Sequence, residues 1–236
     1  IYELFRGKNT RGLDMTAWDW TVPDWLFIAL RDVVKSLALC APAYWSDWVD
    51  VRWESLFKNA VFAFGDGTVV QQPTWAVMKS GCYLTIILNS FAQMIRHNLV
   101  LGMMEINPDS LITVFLGDDQ TIEDFDRFSE YERITRSLGF LLKDSVVSTD
   151  EVHFIGFRFR RAGFIPEYAA KHVFRITHTP GDILGDVLSS YQILYAYLPS
   201  WFDWITKELV RVSPNRVLSV FEARMICSGR PFTNRF

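Results

Sequence analysis

Three short clusters in this 236-residue sequence bring together side chains whose types and spacing could do chemistry. Gly117-Asp118-Asp119 follows the apolar run Leu111-Ile-Thr-Val-Phe-Leu116, and Ile122 resumes a strand pattern beyond it, so two carboxylates fall at the tip of a predicted hairpin. Adjacent carboxylates on a tight turn can hold a hard divalent cation, but a solvated turn would use the same residues for conformational reasons alone. The apolar run predicts a strand buried on both faces, which would carry the turn into a domain where unpaired carboxylates are costly unless a cation neutralises them. Asp14-Met-Thr-Ala-Trp-Asp19 offers a second acidic pair. Asp14, in a strand-then-turn segment, can point at a metal beside Asp118 while Asp19 reaches another part of the same cleft. The alternative is a strand end with Asp19 capping the next helix. The third cluster is Ser80-Gly81-x3-Thr85-x3-Asn89-Ser90. Gly81 permits close backbone approach to a ligand, Ser80 lies at a helix entrance, and Thr85 and Asn89, four apart, share a helix face. An ordinary capped helix accounts for Ser80 but gives no reason for Thr85 and Asn89 to align.

The elements that must position these clusters follow from periodicity and turn chemistry. Gly12 to Trp18 reads as a strand entering a turn, with Thr21 as a cap and Pro23 in the first turn of a helix running towards Cys40. Trp45 to Ala63 is a second helical segment with Ser46 as its cap. Ala60 to Val70, with Gly65-Asp66-Gly67 at its centre, carries a hairpin signal. From Tyr83 to Leu101 the apolar residues Leu84, Ile87, Leu88, Phe91, Met94, Ile95 and Leu99 recur at three and four and predict a helix packed on that stripe. Another helix spans Phe125 to Leu138 and stops at Gly139. Two or three short strands lie between Ser145 and Ile165, with Ala162-Gly163 as the last turn. From Ala169 the chain reads as helical, broken at Pro180, Pro199 and Pro214. The boundary between the mixed and the helical part is drawn near Pro166.

Composition narrows the classes. Half of the residues are apolar and 22% are charged, which excludes a disordered or low-complexity polymer. The longest uncharged runs, Ser80–Ile95 and Val187–Phe202, are 16 residues each and interrupted by polar residues, so no transmembrane segment is expected. Cys40, Cys82 and Cys227 are odd in number and far apart, which indicates neither a disulfide framework nor a zinc site and fits a reducing compartment. The net charge of −3 conceals an asymmetry: residues 152–236 carry 11 Lys and Arg against 6 Asp and Glu, and residues 1–151 carry 13 against 21. An acidic half that could hold cations precedes a basic half that could meet phosphates. The chain opens on Ile1 with no signal peptide pattern, as a fragment or processed piece would.

In order and spacing the clusters resemble the palm motifs of viral RNA-dependent RNA polymerases: D-x4-D as motif A, S-G-x3-T-x3-N-S as motif B and G-D-D as motif C. Three motifs in the right order are far more specific than one. Trp18-Asp19-Trp20-Thr21-Val22 and Ser80-Gly81-Cys82-Tyr83 are most similar to the sobemovirus-like group of positive-strand RNA viruses. Gln120-Thr121-Ile122-Glu123 departs from that group's pattern, in which an acidic residue comes one place sooner, a difference that touches the subgroup and not the metal site. The resemblance implies an α+β fold, in which an antiparallel palm sheet flanked by helices spans residues 1–166 with part of the fingers inserted between motifs A and B. A helical portion of the thumb would occupy residues 167–236.

The resemblance also implies roles. Asp14 and Asp118, with Asp119 as an accessory ligand, would hold two Mg²⁺ or Mn²⁺ ions, hard cations suited to oxygen donors. Asp19, Ser80 and Asn89 would read the ribose hydroxyls of a ribonucleoside triphosphate, with Gly81 beside them and Thr85 orienting Asp19. Lys143 falls where motif D places a lysine that protonates pyrophosphate, although an exposed loop lysine is the plain alternative. His153-Phe-Ile-Gly-Phe157 resembles motif E, which supports the primer end, or is ordinary packing. The implied partners are an RNA template, a primer or product strand, and other viral replication proteins in the host cytoplasm. Only 13 residues precede Asp14, so most of the fingers and their basic motif F are missing, and the isolated chain is expected to be poorly active or inactive. A reverse transcriptase is the nearest rival within this chemistry, disfavoured by Asp19 and Asn89. A non-catalytic RNA- or protein-binding module is the rival outside it.

Overall fold

The computed structural model describes residues 1–229. The chain forms two compact units, Gly7–Thr149 and a second made of Ile1–Arg6 with the chain from Asp150 onward.

In the first unit the elements run β1 (Thr10–Leu13), α1 (Trp18–Thr21), α2 (Asp24–Ser36), α3 (Trp45–Phe57), β2 (Val61–Ala63), β3 (Val69–Gln71), α4 (Thr85–Met103), β4 (Thr113–Leu116), β5 (Asp119–Glu123), α5 (Phe128–Ser137) and β6 (Val147–Ser148). Four strands make an antiparallel sheet in the order β4-β5-β1-β6, and β2 pairs with β3 as the separate hairpin expected around Gly65-Asp66-Gly67. Trp18 of α1 and Leu26, Phe27 and Leu30 of α2 bring these helices onto the core, where Trp53 and Phe57 of α3 meet them. The Trp53 indole N–H, buried with the ring, donates to the Phe27 carbonyl at 2.8 Å, which ties α3 to α2 without leaving a donor unpaired.

Local chemistry explains where the sequence reading missed a boundary. Thr21 does not cap α2. Its hydroxyl turns back to the Thr16 carbonyl at 2.8 Å and closes α1, while Pro23, with fixed φ, precedes Asp24 as the cap residue. Tyr44, not Ser46, precedes α3, and that helix ends at Phe57 so that Val61 can enter β2. The strand before the acidic turn is not buried on both faces: β4 is the sheet edge, its residues Thr113, Val114 and Phe115 are half-buried and Leu116 is exposed. Its neighbour β5 takes the central place and buries Gln120, Thr121 and Ile122.

The second unit contains β7 (Val152–Phe154), β8 (Phe157–Arg160) and β9 (Gly163–Pro166) in one antiparallel sheet, then α6 (Ala169–Thr177), α7 (Leu184–Leu194), α8 (Pro199–Val212) and α9 (Val220–Cys227). The helical breaks fall at Pro180, Pro199 and Pro214 as expected, with Pro199 opening α8. Arg160 pairs with Gly163, so Arg161-Ala162 is the turn, one place earlier than the sequence suggested. The three-stranded sheet groups with these helices. The compact units therefore divide at Asp150, whereas the sequence reading drew its palm-to-helix boundary at Pro166.

Candidate active site

The G-D-D hairpin is as tight as the sequence implied. Leu116 pairs with Asp119, leaving Gly117 and Asp118 as a two-residue turn, and Gly117 takes φ +63 at the first turn position. A hairpin turn of that kind requires a positive φ there, which glycine supplies at least cost. Asp118 is exposed and Asp119 half-buried at the start of β5.

β1 lies antiparallel to β5, with Gly12 opposite Thr121 and Leu13 opposite Gln120. One step further along this register, Asp14 comes level with Asp119 at the same end of the sheet as the turn. The backbone beyond β1 is held there: Met15 bridges Leu142, the Thr16 N–H donates to the Leu141 carbonyl at 2.7 Å and the Lys143 N–H to the Asp14 carbonyl at 3.0 Å. This bridge also delivers Lys143, whose Nζ lies 2.6 Å from Asp14 Oδ2 in an ion pair that is about half exposed on both sides. Among the described residues no three His, Cys, Asp or Glu side chains are gathered into a ready metal cage. The acidic residues at this end of the sheet, Asp14, Asp118 and Asp119, carry oxygen donors only, the donor type that a hard cation such as Mg²⁺ takes.

The motif A and motif B residues meet through Asp19 and Ser80. The Ser80 hydroxyl donates to the Asp19 carboxylate, and the Met78 N–H donates to the Asp19 carbonyl at 2.8 Å, so side chain and backbone both join α1 to the loop before α4. Gly81 has φ +93 and open space where a Cβ would stand, so its need for glycine is conformational. Thr85 does not orient Asp19. Its hydroxyl lies 2.6 Å from the Lys79 carbonyl and 2.8 Å from that of Cys82, shaping the loop that carries Ser80. Asn89 is buried, and its Oδ1 accepts the Trp18 indole N–H at 2.9 Å, one residue from Asp19. What Asn89 can still offer a sugar is its amide N–H₂.

Sequence reasoning missed the face of α4 that lies under the hairpin. Ser90 Oγ accepts the Gly117 N–H and Gln93 Nε2 donates to the Asp118 carbonyl, each at 2.8 Å. Gln93, Arg96 and His97 are buried with Asn89, together with Leu88, Ala92, Val100 and Leu101. The apolar stripe expected to face the core instead leaves Leu84, Ile87, Met94 and Leu99 39–48% exposed. His97 hydrogen-bonds the Tyr131 hydroxyl at 2.9 Å, and burial, reinforced by the neighbouring Arg96 charge, lowers its pKa to about 4. Lys79, beside Ser80, has its pKa lowered by burial and donates to Gln72 Oε1 at 2.7 Å. A usable signal existed: Asn89, Gln93 and His97 recur every four residues in a helix otherwise rich in apolar residues.

His153 lies between Glu151 (3.0 Å) and Glu167 (2.5 Å) in the second unit. The same Glu151 carboxylate also receives the Arg160 guanidinium at 2.6 Å.

Over 89% of its length the chain superposes on the RNA-dependent RNA polymerase of a human picorbirnavirus, with a TM-score of 0.69 and 11% identity, covering 42% of that chain. The insertion loop deletion mutant of that polymerase gives the same score at 12% identity and 44% coverage. The fold is that of viral RNA-dependent RNA polymerases. In sequence the chain is 32% identical over 104 residues to replicase polyprotein P2AB of Southern bean mosaic virus (isolate Bean/United States/Arkansas), a sobemovirus replicase; the match covers 42% of this chain and 11% of the polyprotein. No family model matches the chain. The resemblance drawn from the three motifs, including its sobemovirus-like character, is thus borne out, while the chain spans less than half the length of each of these three relatives. No helix among the described residues is long and apolar enough to cross a membrane.

Proposed function

We propose that this chain is the palm, with part of the thumb, of a viral RNA-dependent RNA polymerase that transfers nucleotides from ribonucleoside triphosphates to an RNA 3′-hydroxyl. The observation that carries this reading is the β1–β5 register, which brings Asp14 level with Asp119 beside the Gly117-Asp118 turn. Asp14, Asp118 and Asp119 would hold two Mg²⁺ or Mn²⁺ ions, whose chemistry is to acidify the 3′-hydroxyl and to stabilise the charge on the leaving pyrophosphate. The residues themselves supply placement. The tight turn fixes the Asp118 carboxylate relative to Asp14, so the reacting groups meet without a search. Asp19, Ser80 and Asn89 meet the ribose: the Asp19 carboxylate accepts a hydrogen bond from the 2′-hydroxyl, a group that a deoxynucleotide lacks. Lys143, beside Asp14, carries an ammonium proton that it can pass to the departing pyrophosphate. The RNA template and product strands, and a cytoplasmic replication complex with other viral proteins, belong to this same reading.

The test is Asp118→Asn in the whole polymerase that contains this chain, assayed by template-directed incorporation. Synthesis should fall by about 10³-fold or more, because one lost metal ligand undoes several kcal/mol of transition-state stabilisation. Retention of synthesis would rule out the reading.

A further inference from the structure

α4 grips the acidic turn through side chains three residues apart. Ser90 takes the Gly117 N–H and Gln93 the Asp118 carbonyl; one more step of three reaches Arg96, whose Nε donates to Gln93 Oε1 at 2.9 Å. A second guanidinium nitrogen of Arg96 donates to Gln120 Oε1, and Gln120 is the residue after Asp119. One side chain therefore touches both neighbours of Asp119, the Gln120 side-chain amide directly and the Asp118 backbone carbonyl through Gln93.

Arg96 is 0% exposed, and among the described residues it makes no ion pair. Its other contacts are Thr135 Oγ1 at 3.4 Å and the rings of Tyr131 and Phe140, 5.7 and 5.8 Å from the guanidinium carbon. Burying a guanidinium costs several kcal/mol, and without a carboxylate the return comes only from amides, a hydroxyl and ring faces. An apolar side chain of similar volume would fill this space more cheaply, so core stability does not account for the charge. What the charge does is select one orientation of the Gln93 amide. A guanidinium attracts the carbonyl end, and the N–H₂ end is left to point at Asp118. Without that bias the amide can turn over, and the Asp118 carbonyl then faces another acceptor.

Resting on the polymerase reading, we propose that Arg96 and Gln93 form a positioning relay that sets the Asp118 and Asp119 carboxylates for the metal ions, with Arg96 acting wholly through other residues. The relay requires a permanent, forked cation at position 96 and an amide at position 93. It therefore links the metal requirement of the reaction to a buried side chain that touches neither metal nor nucleotide.

The experiment compares Arg96→Met, Gln93→Leu, the double variant and Arg96→Lys in the whole polymerase, with Mn²⁺ as the titrated cation. Arg96→Met should lower kcat about tenfold, as small misplacements of reacting groups do, leave KM for the ribonucleotide within about twofold, and raise the half-activating Mn²⁺ concentration several-fold. Because the two residues act in series, the double variant should be no slower than the slower single variant. Arg96→Lys should recover only part of the rate, since an ammonium does not span both amides. Unchanged kcat, an unchanged Mn²⁺ requirement, or additive losses would each overturn the relay. If Arg96→Met fails to fold, Gln93→Leu, which removes only the donor to Asp118, carries the same expectations. Asp118→Asn run alongside separates the two ideas: activity in that variant removes the polymerase reading, whereas its inactivity with a silent Arg96→Met removes the relay alone.

Discussion

Two helices of this chain, one in each compact unit, solve the burial problem in opposite ways. α8 is an ordinary amphipathic helix: Phe202, Ile205 and Leu209 are buried at three and four, and Asp203, Lys207 and Arg211 face solvent. α4 buries Asn89, Gln93, Arg96 and His97 and leaves several leucines, isoleucines and methionines exposed. The other unit also buries a polar side chain, Gln192 of α7, but there the amide staples secondary structure: it donates to Thr206 Oγ1 at 2.7 Å and accepts the Leu218 N–H at 2.9 Å. On α4 the buried amides instead reach the Gly117-Asp118 turn and the Trp18 ring beside Asp19. A helix that only holds a fold together follows its apolar pattern, and one that must hold a site spends burial on polar groups.

The sharpest way to break this contrast is to delete a core side chain from each helix and measure urea unfolding. Leu209→Ala should cost about 3 kcal/mol, through lost burial and the cavity left behind. Arg96→Met should cost only about 1 kcal/mol, since relief of the buried charge offsets the two amide oxygens left without it. Equal losses would mean that Arg96 is a structural core residue like any other.

Next in size is an acid effect at His97. Its folded pKa of about 4 lies below the ordinary 6.5, so the unfolded chain binds more protons in that interval. The stability it contributes is fully present above pH 6.5 and is lost as pH falls towards 4, on the order of 3 kcal/mol in all. His97→Gln should flatten that slope relative to the unmodified chain, and an identical slope would contradict the assignment. The smallest effect is expected at the exposed Asp14–Lys143 pair, where Lys143→Met should change folding stability by less than about 1 kcal/mol. A larger loss would give that pair a structural purpose in place of a chemical one.

These particulars also mark what could be read in the sequence. The hairpin around Gly117 and the two-residue turn were legible because backbone sterics leave few sequences able to make them. The breaks at Pro180, Pro199 and Pro214 were legible for the same kind of reason. The ends of α2 and α3 were not, because Thr21 and Ser46 are cap residues by type while tertiary contacts placed the caps at Pro23 and Tyr44. The buried face of α4 was read wrongly because periodicity assumes that apolar residues go inside, and Arg96 breaks that assumption through partners on β5 and α5 far away in sequence. That Asp14 stands level with Asp119 follows from the β1–β5 register, which motif spacing alone does not carry. Thr85 was given a role that its hydrogen bonds assign to the Ser80 loop.

The central claim is that Asp14 and the Asp118-Asp119 turn share divalent cations. Mn²⁺ titration of this chain, followed by water-proton relaxation, tests it without any need for catalysis. The account predicts saturable binding that Asp118→Asn and Asp14→Asn each weaken by about tenfold or more, as loss of a ligand does. Binding of equal strength in all three proteins, or no binding to the unmodified chain, would contradict it.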